Sequence, residues 1–365
     1  MKKVVSAIEN SFEDNGKSPL FSFKILTLGL SKMYAGIMRL RAFAYKTGLF
    51  KSHRLPFPTL SVGNITAGGT GKTPMTLFLA RWFQKKGARV VIVSRGYGGS
   101  LSNQGAIVSD GDRILLTAKE AGDEPLMMAQ KLPGVPVVIG ARRFEAALNA
   151  CKIFSPDLIL LDDAFQHLKV QRDLNLLLAD GTHPFGNGHT LPRGPLREPL
   201  SALSRAHAVV LTRAGERERA AFERNLPCAL SKGENRPVMA CSHTLFLTDV
   251  KGESVSAEEI GPCFLFSGIA KNHAFEKGAM ELGVRSCGFQ SFSDHHPYTP
   301  SEITAIEEMA RKKGATALLT TDKDLVKVEK MVSMPIYTVA VALDISQDHP
   351  HLEQLLTPFL PKTSQ

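Results

Sequence analysis

The stretch Thr59-Leu-Ser-Val-Gly-Asn-Ile-Thr-Ala-Gly-Gly-Thr-Gly-Lys-Thr-Pro74 decides how the chain is read. Apolar Leu60 and Val62 lead into glycines, then Gly71-Lys72-Thr73, then a segment of helical character from Met75 to Lys86. A strand, a Gly-rich turn and a helix in that order form a phosphate cradle. The glycines let backbone N–H groups approach phosphate oxygens, and the helix N-terminus presents its positive end. The spacing predicts a nucleotide site over Thr66, Ala67, Gly68, Gly69, Thr70, Gly71, Lys72 and Thr73. In this register Lys72 reaches the β- and γ-phosphates, and the Thr73 hydroxyl is placed for Mg²⁺. Pro74 suits the first helical turn, where its missing N–H costs nothing. The match to G-x-x-x-x-G-K-[ST] is imperfect, since Thr66 holds the first glycine position.

The complement of such a loop is an acidic residue at the end of a buried strand. Residues 157–168 read Asp-Leu-Ile-Leu-Leu-Asp-Asp-Ala-Phe-Gln-His-Leu, an apolar run ending in acids. A buried strand delivers Asp162 to its C-terminal end, beside the loop, where Mg²⁺ needs a carboxylate. Thr73, Asp162 and Asp163 are the expected metal ligands. Gln166 and His167 follow closely, more polar groups than a cap requires. No [NT]-K-x-D run that would select guanine is present, so ATP is favoured over GTP.

Further motifs lie along the chain. Strand-like Arg89–Ser94 runs into Arg95-Gly-Tyr-Gly-Gly99, a Gly-rich turn suited to the binding edge of an open parallel sheet. Its plain reading is a tight loop, and Arg95 makes phosphate contact plausible. Ala121-Gly-Asp-Glu-Pro125 opens a helix, where adjacent carboxylates are usually caps. Buried strands are expected near 174–179 and 208–211, with Pro- and Gly-rich loops lining a site. There, Arg197 and Glu198 could touch substrate or simply pair with one another. Beyond residue 250, strands again alternate with helices, and Phe266-Ser-Gly-Ile-Ala270, Asp294-His-His-Pro-Tyr298 and Thr320-Thr-Asp-Lys-Asp324 stand out. The Asp-His-His loop has no spaced partner that would suggest zinc.

With 365 residues the chain has room for two domains, and five scattered cysteines without a C-x-x-C suit a reducing cytoplasm. Residues 1–55 hold ten Lys/Arg against three acids, a net +7 of the chain's +9. The near-neutral remainder argues against a nucleic-acid-binding surface. Residues 1–18 read as polar and loosely held, with turn chemistry at Asp14-Asn-Gly16. Residues 19–50 are apolar with Lys24, Lys32, Arg39 and Lys46 spaced by 8, 7 and 7 residues. On a helix these cations share one quadrant. A wide apolar face with a basic stripe is how an interfacial helix meets an anionic membrane; the plain alternative is a core-packed helix with a solvated Lys face. No uncharged run is long enough for a simple spanning helix.

The fold expected is α/β: a P-loop NTPase-type, mostly parallel sheet with helices on both faces, a smaller C-terminal α/β domain, and an N-terminal amphipathic membrane helix. The predicted divisions are 1–54, 55–240 and 241–365, the last closing over the active site. Three classes of activity remain: phosphoryl transfer to a small or lipid acceptor, an ATPase switch or motor, and a nucleotide-binding regulator. The GGTGKT run resembles the deviant P-loop of membrane-cycling switch ATPases. Those carry an extra Lys before the glycine pair, where this chain has Ala67.

SVGNITAGGTGKTP, SRGYGG, GDEP, LDDAFQH, LPRGPLREP, FSGIA, DHHPY and TTDKD occur in this order across residues 61–324. Together they resemble the tetraacyldisaccharide 4′-kinase family of lipid A biosynthesis. The resemblance implies Mg²⁺-dependent transfer of the ATP γ-phosphate to the 4′-hydroxyl of a lipid A disaccharide 1-phosphate. It implies a place at the cytoplasmic face of the bacterial inner membrane, with no obligate protein partner. Carried over by motif, Asp123 is the expected base, assisted by His295, with Lys72 also catalytic. Arg95, Glu124, Gln166, His167, Arg197, Glu198 and Asp294 are the expected substrate contacts. Ala164, Arg193 and Asp322 depart from the family pattern, Ala164 standing where Gly is usual.

Overall fold

The computed structural model describes residues 21–225, 236–345 and 348–361. The expectation for residues 1–18 falls outside them. Strands are β1 Thr59–Gly63, β2 Val90–Ser94, β3 Ala106–Ser109, β4 Val137–Ile139, β5 Leu158–Asp162, β6 Leu174–Asp180 and β7 Ala208–Thr212. They continue as β8 Val238–Thr248, β9 Ser254–Val255, β10 Cys263–Ser267, β11 Ser286–Ser291, β12 Ala317–Thr321 and β13 Ile336–Asp344. Helices are α1 Phe21–Lys46, α2 Lys72–Lys85, α3 Ala118–Ala121, α4 Asp123–Lys131, α5 Arg143–Phe154 and α6 Glu216–Asn225. After them come α7 Ala257–Ile260, α8 Asn272–Glu281, α9 Pro300–Lys312, α10 Asp322–Val328 and α11 His349–Leu356.

The chain divides into two compact units. The first holds residues 1–93, 143–242 and 345–365; the second holds 94–142 and 243–344. This differs from the sequential division predicted. The break near 240 falls within β8. The segment carrying SRGYGG and GDEP belongs with the C-terminal half, and α11 returns to the first unit. A linear reading finds composition shifts, and neither excursion has one.

In the first unit the strands run in the order β8-β7-β6-β1-β5-β2, all parallel. β1, β2, β5 and β7 are buried at every position. That follows from their unbroken Leu/Val/Ile runs, which suit a sheet covered on both faces. Parallel order brings the carboxyl ends of β1, β5, β6 and β7 to one edge, where such sheets bind ligands. The register pairs Val62 with Asp162 across β1 and β5.

Helix α1 packs on this unit with a small, polar face. Thr27, Ser31, Ala35 and Ala44 are buried. Ser31 Oγ and Thr190 Oγ1 lie 2.9 Å apart, the Tyr34 hydroxyl donates to the Arg197 carbonyl at 2.9 Å, and Arg41 donates to the Gln166 carbonyl at 3.0 Å. The large apolar side chains point away: Met33 is 59% exposed, Leu40 69% and Phe43 61%. The core-packed alternative is therefore not what the chain adopts. No helix among the described residues is long and apolar enough to cross a membrane.

In the second unit β11-β10-β12-β13 form a parallel set, β3 and β4 pair antiparallel, and the tail of β8 pairs with β9. Phe264, Phe266, Ile303, Ile306, Leu318 and Val328 build one core cluster. Helix α10 packs against α4, joined by an ion pair between Lys131 and Asp322.

Candidate active site

The phosphate cradle is built by contacts that hold its backbone open. Gly68 and Gly71 adopt φ of 110° and 77°, values that L side chains avoid. Added Cβ atoms at Gly68 and Gly69 would meet nothing within 4 Å, so the space above the loop is clear. The first helical bond, Met75 N to the Gly71 carbonyl, is 3.1 Å and skips Pro74. Four elements brace the turn. Asn64 Nδ2 donates to Thr70 Oγ1 at 2.8 Å, and Thr212 Oγ1 to the Thr70 carbonyl at 3.2 Å. Arg213 donates to the Gly69 carbonyl at 2.9 Å while paired with Asp180. Ala67 N donates to the Pro195 carbonyl at 2.7 Å and Arg197 N to the Ile65 carbonyl at 2.7 Å. The LPRGPLREP segment thus runs along the loop.

The acidic turn after β5 packs directly on β1. A Cβ at Gly63 would lie 2.6 Å from Phe165 Cβ and 2.7 Å from Phe165 N, so only glycine lets the two segments touch. Asp162 is buried, and its Oδ1 accepts the Thr76 hydroxyl at 2.9 Å. Asp163 takes the positive φ of the turn, 44°. Ala164 is not among the positive-φ residues and is fully buried, which explains why Ala serves in place of Gly. Asp163 sits between two cations: Arg197 at 3.2 Å and Lys72 Nζ at 3.7 Å.

In the second unit, GDEP and DHHPY meet. His295 Nδ1 stands 2.9 Å from Asp123 Oδ2 and 3.1 Å from Oδ1, although 172 positions separate the residues. Asp123 opens α4 and is buried. Burial alone would raise its pKa; the His295 hydrogen bond and the charges of Lys323 and Lys327 outweigh that and hold it below the usual carboxylate range. The hydrogen bond to Asp123 raises the His295 pKa, against burial and the charge of Lys323. His295 adopts φ of 57°, and its N–H is held by the Gly268 carbonyl at 3.1 Å. Gly268 N donates to buried Asp324 at 2.9 Å, so FSGIA and TTDKD frame the histidine. His296 turns elsewhere, stacked on Phe292 and 3.1 Å from Glu302.

The SRGYGG turn and the two residues after it anchor α3, immediately before α4. Ser100 N and Leu101 N donate to the carbonyls of Lys119 and Glu120 at 3.0 and 3.1 Å. A Cβ on Gly99 would lie 2.5 Å from Ala121 C and Glu120 O, both backbone atoms that cannot swing away. Gly99→Ala is expected to destabilise the protein by about 2–3 kcal/mol, read as a lower denaturant midpoint. Gly29→Ala, in open space inside α1, is the contrasting control, expected to stabilise by roughly 0.5–1 kcal/mol because Ala favours the helix.

The predicted site residues fall into two sets. Thr66–Thr73, Asp162, Asp163, Gln166, His167, Arg197 and Glu198 lie on the first unit; Arg95, Asp123, Glu124, Asp294 and His295 lie on the second. Arg197 and Glu198 do not pair with one another. Arg197 reaches Asp163, and Glu198 is buried against Arg205 at 2.6 Å. Gln166 Nε2 donates to the Asn64 carbonyl at 2.6 Å. His167 is pushed down to about 4 by burial and by Arg143, Arg172 and Arg41, so it is neutral near pH 7. Arg95 is exposed. Glu124 and Asp294 both face Lys323, at 3.5 and 3.2 Å. Asn64, although inside the P-loop stretch, and Thr212 and Arg213, at the end of β7, were given no role by the sequence reading, because bracing a backbone turn leaves no motif of its own. Lys323 lay within a motif that had no role.

Hard oxygen donors for a divalent ion are present at Thr73 and Asp162. No group of three or more His, Cys, Asp or Glu among the described residues could hold one unaided. That donor set fits Mg²⁺, which takes one or two protein oxygens and fills its octahedron with phosphates and water.

The family model described as tetraacyldisaccharide-1-P 4′-kinase matches residues 23–360. The tetraacyldisaccharide 4′-kinase of Desulfatibacillum aliphaticivorans is 44% identical over 340 residues, covering 87% of this chain and 88% of that protein. Its counterpart from Geobacter metallireducens is 42% identical over 328 residues, 87% of this chain and 92% of the relative. A crystal structure of LpxK from Aquifex aeolicus in complex with ATP superimposes with a TM-score of 0.74 at 32% identity, covering 93% of this chain and all of that one. With the P-loop, the acidic turn and the Asp–His pair all in place, the chain belongs to the tetraacyldisaccharide-1-P 4′-kinase family.

Proposed function

We propose that this chain transfers the γ-phosphoryl group of ATP to the 4′-hydroxyl of a tetraacyldisaccharide 1-phosphate, a step of lipid A biosynthesis. The observation that carries the reading is the Asp123–His295 pair in a chain that also holds a braced P-loop. An ATPase switch needs the loop and has no use for an acid–base pair, and Ala67 stands where its signature Lys would be.

Backbone N–H groups of 68–73 and the Lys72 ammonium bind the phosphates and stabilise charge on the moving phosphoryl group. Thr73 and Asp162 are the residues that would hold Mg²⁺, which would supply positive charge to offset that of the phosphates. Asp163, flanked by Lys72 and Arg197, keeps both cations in place. Asp123 orients the sugar hydroxyl and takes its proton late, as a loose transition state requires. His295 steadies that carboxylate. Arg95, Arg197, Glu124 and Asp294 remain candidates for the acceptor's polar groups. Transfer of label from ATP to the disaccharide 1-phosphate tests the reading; ATP hydrolysis unaffected by the lipid would refute it.

The outward apolar face of α1, with its basic stripe, supports peripheral attachment to the cytoplasmic leaflet. A contiguous exposed apolar face of this kind marks an interaction surface. Met33→Glu/Leu40→Glu/Phe43→Glu is expected to lower binding to anionic vesicles by at least roughly tenfold, measured by co-sedimentation. Unchanged binding would remove α1 from the membrane contact.

A further inference from the structure

Lys323, from the TTDKD motif, has no part in the chemistry described so far. Its side chain is only 17% exposed, and its ammonium lies within 4.0 Å of both members of the Asp–His pair and of two neighbouring acids. Nζ lies 3.0 Å from His295 Nε2, 3.2 Å from Asp294, 3.5 Å from Glu124 and 4.0 Å from Asp123. Lys327, one turn on, pairs with Asp324 at 2.7 Å and stands 3.8 Å from Asp123. The Tyr97 ring, 5.2 Å from the imidazole, is the remaining neighbour.

An ammonium is a donor only. At 3.0 Å, Nε2 must therefore be the acceptor, since a protonated Nε2 would set two donors face to face. We propose that Lys323 sets the tautomer of His295: by donating to Nε2 it leaves the single imidazole proton on Nδ1, directed at Asp123. Lys323 is thus a positioning residue acting through His295. It keeps the histidine an oriented donor and leaves proton acceptance to the carboxylate. Asp294 and Glu124 hold the ammonium over Nε2, which gives both acids a role independent of substrate. Without Lys323, Nε2 is open to water and His295 takes a second proton more readily as pH falls.

The inference rests on Asp123 being the base, and the test separates the two. Nitrogen NMR of histidine-labelled, detergent-solubilised full-length protein, assigned with His295→Gln, reads the tautomer without any turnover. In the wild type, above the pH at which His295 titrates, Nδ1 is expected to be protonated and Nε2 to be the unprotonated acceptor of the Lys323 ammonium. In Lys323→Met the His295 titration is expected to move to higher pH. The same variant should lose roughly 10- to 100-fold in kcat with KM for ATP unchanged, and Lys323→Arg should recover part of it. A wild-type Nε2 that carries the proton, or a Lys323→Met titration that stays where it was, overturns the proposal. So does a loss confined to ATP affinity, which would place Lys323 on the phosphate. Asp123→Asn that retains transfer would instead refute the base assignment and leave the tautomer result standing.

Discussion

Lys72→Ala is expected to lower kcat by roughly 10²- to 10³-fold while leaving ATP affinity much less affected. The separation follows from how the cradle is made. Its backbone is fixed by Asn64, Thr212, Arg213 and the 195–197 segment, none of which depends on Lys72. Ground-state phosphate binding by backbone N–H groups should survive. The ammonium contributes most where charge on the transferred group changes, in the transition state. Lys72 is also partly buried, 13% exposed at its side chain, which strengthens its field relative to a surface cation. Its removal leaves Asp163 with one of its two cationic neighbours, Arg197. Lys72→Arg is no conservative rescue, because a planar fork cannot replace a compact point charge. Single-turnover transfer alongside equilibrium ATP binding reads the two effects apart. A kcat within about threefold of wild type would remove Lys72 from the transition state.

How much of this was legible beforehand differs between the parts. The P-loop and the β5 acids were readable because an apolar strand followed by special residues has one common outcome, a sheet edge. The meeting of Asp123 with His295 came only from the resemblance. In the bare sequence Asp123 looks like a cap, and it does open a helix. The division into units was misread because assignment by position cannot see that 94–142 packs with 243–344. Strand β8 has no clear signal in the sequence, since Ser242, His243 and Thr244 interrupt its apolar pattern. The bracing residues were hidden for another reason. Arg213, at φ of 54°, acts through a backbone geometry that no composition signals. For residues 19–50 the sequence predicts an amphipathic helix, and a helix spans Phe21–Lys46. Only the structure shows that the helix buries its serine, threonine and alanine face and exposes its leucines.

Asp123→Asn is the second large effect expected, roughly 10²- to 10⁴-fold in kcat with ATP binding intact. The carboxylate is an unusual base. Burial pulls its pKa up from 3.8, but His295, Lys323 and Lys327 leave it lowered overall. A weak base suits a reaction whose transition state is loose, where the hydroxyl keeps its proton until the phosphoryl group has almost transferred. Orientation then matters more than basicity, and an amide of the same shape tests that directly: it can hold His295 and still cannot accept the proton. The sign of the pH dependence follows from the lowered pKa. Asp123 stays ionised throughout the neutral range, so it should place no acid limb on kcat/KM above the ordinary carboxylate value. Its contribution to stability is present above the unfolded pKa and is lost only as pH falls through the lower folded one. The Asp123 carboxyl itself separates wild type from Asp123→Asn only in acid, but the His295 pKa that it raises adds a difference near neutrality: wild type should lose stability as pH rises through the raised His295 value, and the variant should lose less. A variant that turns over at near wild-type rate, or one that keeps the full wild-type fall in stability between about pH 6 and 8, roughly the neutral range, would contradict the arrangement of charges around this residue.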